Sequence, residues 1–112
     1  MNAYEKIQKL NEKEFKRITG VTREIFEKMI ERLKAQYAQD HSGGGAPGQP
    51  VELRLTLALE YWREYRTFEH MSNDHQLPKS TINEMIRQID RDDLIIAMIE
   101  EFVKKKPPGG DV

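Results

Sequence analysis

Cysteine is missing from all 112 residues, which excludes disulfides, thiolate metal sites and cysteine nucleophiles. Long apolar runs are missing as well. No stretch approaches the ~20 residues a membrane span needs, and the first ten residues carry no signal-peptide pattern. A charge excess of either sign is also lacking, with 18 Lys and Arg against 19 Asp and Glu. By region, residues 1–50 hold nine basic and seven acidic side chains, residues 51–94 six and nine, and residues 95–112 three and three. No part is therefore a basic arm that grips nucleic acid indiscriminately. Aromatics are few, and Tyr61, Trp62, Tyr65 and Phe68 sit among leucines at helical spacing, where they read as core rather than as base-stacking platforms. What these absences leave is a soluble, cytoplasmic chain without a membrane partner, long enough for one core without staples.

Glycine and proline concentrate where helix cannot form. Residues 39–50, QDHSGGGAPGQP, contain three successive glycines, two prolines and nothing apolar to bury. They predict a flexible linker between an N-terminal helical segment, 1–38, and a second helical domain, 51–106. The last residues, 107–112 (PPGGDV), predict a disordered tail. The Gly43-Gly44-Gly45 run lacks the Lys-Ser/Thr ending of a phosphate loop.

Helical spacing runs through both halves. Tyr4, Ile7 and Leu10 form a short stripe, Asn11 can cap a turn presenting Phe15 and Ile18, and Gly20 ends it. Thr22 then caps a helix with Ile25, Phe26, Met29, Ile30, Leu33 and Tyr37 on one face. From Val51 to Tyr61 apolar residues alternate strictly, which taken alone is a strand signal. The Leu, Ala, Glu and Arg content argues for helix, and a lone strand would leave its backbone unpaired. Leu55, Leu59 and Trp62 supply the stripe of a helix over 51–66. Thr67 caps a short helix with Phe68 and Met71, Gln76-Leu77-Pro78 is a turn, and residues 79–89 put Ile82, Met85, Ile86 and Ile89 inward. Residues 90–93 start a last helix, mostly apolar around its circumference and ending in Lys104-Lys105-Lys106. The fold expected is all-α, with five to six helices in two halves.

Residues 67–89 have the form of a helix-turn-helix, in which a short helix braces a second one that shows polar side chains outward from its first turns. Those residues are Lys79, Ser80, Asn83, Glu84 and Arg87. Asn reads adenine and Arg reads guanine bidentately, while Lys and Ser suit phosphates. The same residues equally describe the solvated face of any bundle helix. His70 and Asp74, four apart, make at most half a metal site, so neither metal nor cofactor is expected. A fainter feature is that residues 21–33 and 77–89 align in their apolar register, as two helix-turn-helix-like units would.

Residues 55–89 resemble the N-terminal helix-turn-helix domain of bacterial insertion-sequence transposases of the DDE type. The resemblance rests on Leu59, Tyr61, Arg63, Tyr65, Arg66 and Thr67 at the end of a leucine-rich helix, and on Ser80-Thr81-Ile82. The segment from Tyr4 through Val21 is similar to the part that precedes it. The family usually has glycine where this chain has Gln76 and serine where it has Pro78, and its connector is more basic. The resemblance implies sequence-specific binding of double-stranded DNA at a terminal inverted repeat. Lys79, Ser80, Asn83 and Arg87 are the expected base and phosphate contacts, with Arg63 and Arg66 as candidate backbone clamps. The family's three catalytic carboxylates occupy a separate α/β domain for which there is no room after Ile89, so no enzymatic activity is expected. The alternative is a protein-interaction module that dimerises through residues 93–106 and binds no DNA.

Overall fold

Polar caps at the ends of short helices set the chain's path. In the computed structural model, which describes residues 2–40, 50–64 and 67–103, seven helices form and no strand does among the described residues. They are α1 (Ala3–Gln8), α2 (Glu12–Thr19), α3 (Arg23–Asp40), α4 (Val51–Glu64), α5 (Phe68–His75), α6 (Lys79–Asp90) and α7 (Asp93–Phe102). The count exceeds the five to six expected because α1 and α2 are separate helices, each with its own cap. Asn2 and Glu5 form a capping box, and the Glu14 amide donates to Asn11 Oδ1 at 2.8 Å. Thr22 and Thr67 accept from the amides of Ile25 and His70, as their positions predict. Most of the glycine-rich stretch, the tail and Lys104-Lys105-Lys106 lie outside the described residues. α3 runs two residues beyond the expected end of the first segment.

The alternating segment is a helix, α4, and its burial explains the alternation. Successive residues turn 100° around a helix, so a step of two residues turns 200°. Leu53 and Leu57 therefore lie opposite Leu55 and Leu59. All four are buried, together with Ala58 and Trp62. A surface helix could not bury both sides, but α4 packs against α1, α2, α3 and α6 at once. The single stripe expected from Leu55, Leu59 and Trp62 is thus half of what α4 buries.

The two halves share one core. Phe15, Phe26 and Met29 from the first half and Met71, Ile82 and Ile86 from the second join the α4 leucines in one buried cluster. Phe26 meets Phe15 edge-on at 5.4 Å and stacks on Tyr4 at 6.0 Å. Arg23 locks the first three helices, donating to Gln8 Oε1, the Leu10 carbonyl and Glu12 at 2.7–2.9 Å while lying 4.3 Å over the Phe15 ring. Between halves, Lys34 Nζ meets Glu52 at 3.0 Å. Partial burial raises the Glu52 carboxyl, and the Lys34 ammonium with a backbone hydrogen bond overcomes this, leaving it below its ordinary value.

Gly20 ends α2 with φ +85°, and its N–H donates to the Lys16 carbonyl at 2.8 Å. A Cβ there would stand 3.0 Å from Val103 Cγ2 and 3.5 Å from Arg63 Cδ. Gly20→Ala should therefore cost about 1–2 kcal/mol and lower the thermal midpoint by roughly 5–10 °C. An unchanged midpoint in calorimetry would show that the turn has room to rearrange.

Candidate nucleic-acid interface

The second pair of short helices meets at a turn built on one unusual residue. Gln76 closes α5 in the left-handed region, φ 55°, ψ 44°, and its N–H donates to the Ser72 carbonyl. This is the position where the transposase resemblance calls for glycine, and the angle explains why: a side chain is disfavoured there by roughly 1–2 kcal/mol. The Leu77 amide donates to the same carbonyl at 3.2 Å, and the Ser72 hydroxyl donates to the Leu77 carbonyl. Leu77 is half-buried in the angle between the helices, as a turn plug should be. Pro78 occupies the N-cap, one residue earlier than the first helical position its sequence context suits, and its carbonyl accepts from the Ile82 amide at 3.0 Å.

From this turn α6 presents two unlike faces. Ile82, Met85, Ile86 and Ile89 are buried, and α6 packs against α4 and α5. Lys79, Ser80, Glu84 and Arg87 are exposed and Asn83 is half-buried. These side chains follow one another at helical spacing over ~12 Å of axis from Lys79 to Arg87. Within the set Gln88 Nε2 donates to Glu84 Oε1 at 3.2 Å, which holds that carboxylate along the helix. At the far end of α6, partial burial raises the Asp90 carboxyl against the opposing Trp62 indole, and burial with Asp90 nearby raises the Tyr61 phenol.

The chain is similar to the probable transposase for insertion sequence element IS702 of Microchaete diplosiphon, at 33% identity over 86 residues. Those residues are 77% of this chain and 31% of that protein. The chain is a relative of insertion-sequence transposases. It spans about a third of the length of that protein. No protein-family model matches it, and no solved structure does at a significant level.

In this transposase relative the structure gathers Lys79, Ser80, Asn83 and Arg87 on one outward stripe and sets Arg63 apart from them. Arg63 Nε donates to the Arg17 carbonyl at 3.3 Å and its chain lies beside Gly20, so it is engaged with the end of α2. Arg66 lies outside the described residues. Of the aromatic side chains in this run, Trp62 is buried and Phe68 meets Tyr61 at 5.2 Å, and Tyr65 lies outside the described residues.

The first two-helix unit repeats the turn of the second. Gly20, Val21 and Thr22 stand as left-handed cap, apolar plug and N-cap, as do Gln76, Leu77 and Pro78. The repeat is in the backbone and not in the surface. Arg23, at the start of α3, is tied to α1 and α2, and the exposed residues that follow include Glu24, Glu27 and Glu31 with Lys28 and Arg32, which pair with Glu24 and Asp92. Of the two second helices, α6 is the one with an exposed cation at its first position, Lys79.

One contact of the site has no signature in the sequence. His75 Nε2 meets Glu60 at 2.9 Å, with both side chains mostly buried, and this pins the end of α5 to α4. The partners are fifteen residues apart on different helices, and only the tertiary arrangement brings them together.

Proposed function

We propose that the chain is the DNA-recognition part of a transposase, which places α6 in the major groove of a terminal inverted repeat. Asn83 and Arg87 read bases, Lys79 and Ser80 hold phosphates, and catalysis belongs to the part of such proteins that this chain does not match. The observation that carries the reading is the open start of α6, with its polar stripe outward on a helix braced by α4 and α5. Relationship to a transposase supports it from a separate direction. Arg63 is better suited to holding α2 in place than to clamping a backbone.

The competing reading, self-association through residues 93–106, is favoured by two exposed apolar side chains on α7, Leu94 at 49% and Phe102 at 39%. Ile95, Ile99 and Val103 of the same region are already buried in the core. Two side chains fall well short of the ~800 Å² that each partner of a stable complex buries.

Asn83→Ala or Arg87→Ala should weaken binding to a duplex carrying the repeat by about 1–3 kcal/mol, roughly 5–150-fold, and relax base preference at one position each. Fluorescence anisotropy against repeats mutated base by base reads both effects. An equal loss on every sequence rejects base reading by these residues. A sedimentation mass that doubles with concentration, with no duplex binding, favours the α7 reading instead.

A further inference from the structure

We propose that Lys6, Lys9, Lys13 and Lys16 form a second contact strip, sequence-independent, for the phosphate backbone of the duplex that α6 reads. The inference rests on the DNA-recognition reading above and assigns that partner a surface on the other half of the chain.

The four lysines are exposed and none has an ion-pair partner among the described residues. This is not for want of acids nearby. Glu5 is engaged in the capping box with Asn2, Glu12 with Arg23 at 2.7 Å and Glu14 with Arg17 at 2.7 Å. Other lysines of the first half differ, for Lys28 meets Glu24 and Lys34 meets Glu52. The acids of α1 and α2 are thus taken up internally while the lysines face solvent. Four unneutralised cations within eleven residues set up a local field that a polyanion relieves by exchanging its condensed counterions for them.

Position links this strip to the reader. Lys6 lines a cavity of about 340 Å³ whose opposite wall is the end of α5 and the recognition turn, including His75, Gln76 and Leu77. Asp74, the acid on that wall, is itself engaged. Lys9 follows Lys6 by one turn, and Lys13 and Lys16 repeat that interval on α2. Lys6 thus stands beside the turn that launches α6, and the other three lysines follow it along α1, the connecting turn and α2. This bears on the charge deficit of residues 51–94: the fold sets Lys6 of the first half against the acidic second half, where a count along the chain keeps them separate.

The test uses the full chain and two ~30-base-pair duplexes, one carrying the inverted repeat that flanks the gene and one of shuffled sequence, titrated between 50 and 300 mM salt. For Lys6→Gln/Lys9→Gln/Lys13→Gln/Lys16→Gln, the slope of log affinity against log salt should flatten by about 3.6, at about 0.9 for each phosphate no longer neutralised. Affinity near 0.1 M salt should fall about 10–100-fold on both duplexes alike, so their ratio is kept. The thermal midpoint should stay within a few degrees, since the four side chains are exposed. An unchanged slope on both duplexes overturns the strip, and so does a change in the ratio, which would mean that the lysines read bases. Asn83→Ala/Arg87→Ala separates the two ideas: it should abolish the ratio and leave the slope on shuffled DNA intact. If that ratio survives while the lysine variant flattens the slope, the strip stands and the base-reading assignment of α6 falls. If the unaltered chain binds neither duplex, both fall.

Discussion

Asp92→Ala should destabilise the protein by about 2–4 kcal/mol, lowering the thermal midpoint by roughly 10–15 °C. Two losses combine in this one side chain. Asp92 Oδ1 accepts from the amides of Leu94 and Ile95 at 3.1 and 3.3 Å and so caps α7. The same oxygen receives Arg32 Nε and Nη2 from α3, each at 3.1 Å. The carboxylate is buried, its side chain 4% exposed, while that of Arg32 is 40% exposed. The asymmetry sets the order of effects. Alanine removes the cap and the pair together and leaves Arg32 able to reach water. Asp92→Asn keeps an acceptor for the two amides and loses only the charge, so it should cost about 1 kcal/mol. Arg32→Ala should fall between them, because it leaves a buried carboxylate with only amide partners. Urea unfolding of the three variants measures the series. Equal losses for Asp92→Ala and Asp92→Asn would mean that the ion pair, and not the cap, carries the effect.

The Arg32–Asp92 pair also marks where sequence reading stops. The caps at Asn11, Thr22 and Thr67 were legible because a cap and the amides it serves lie within three residues of each other. The outward stripe of α6 was legible for the same reason, since Lys79, Asn83 and Arg87 repeat every four residues and Ile82, Met85, Ile86 and Ile89 fill the other side. Arg32–Asp92, His75–Glu60 and Arg23 with its three acceptors are decided by which helix ends meet in space, and no spacing along the chain encodes that. Arg63 shows the consequence. Its residue type and its place in a transposase-like run suit a phosphate clamp, and its geometry engages it with the α2 terminus. Likewise the regional charge count finds no basic arm, although Lys6 of α1 stands beside the turn between α5 and α6.

Leu57→Ala should be the most damaging of these substitutions, at about 3–5 kcal/mol, a large share of the 5–15 kcal/mol that holds a domain of this size together. The expectation turns on α4 being enclosed. Were α4 an ordinary amphipathic helix with Leu55, Leu59 and Trp62 inward, Leu57 would face solvent about 160° from Leu59, and trimming it would cost under ~0.5 kcal/mol. Leu57 is instead fully buried, as are Leu55 and Leu59. No neighbouring helix can close the void easily, because α4 is already held by α1, α2, α3 and α6. Leu55→Ala and Leu57→Ala should therefore lose comparable stability although they occupy opposite faces of one helix. Both variants should also unfold in a single transition, since one core joins the halves. A small loss for Leu57→Ala alone would mean that one side of α4 is open. Two separate transitions would mean that the segments before and after residues 39–50 fold independently.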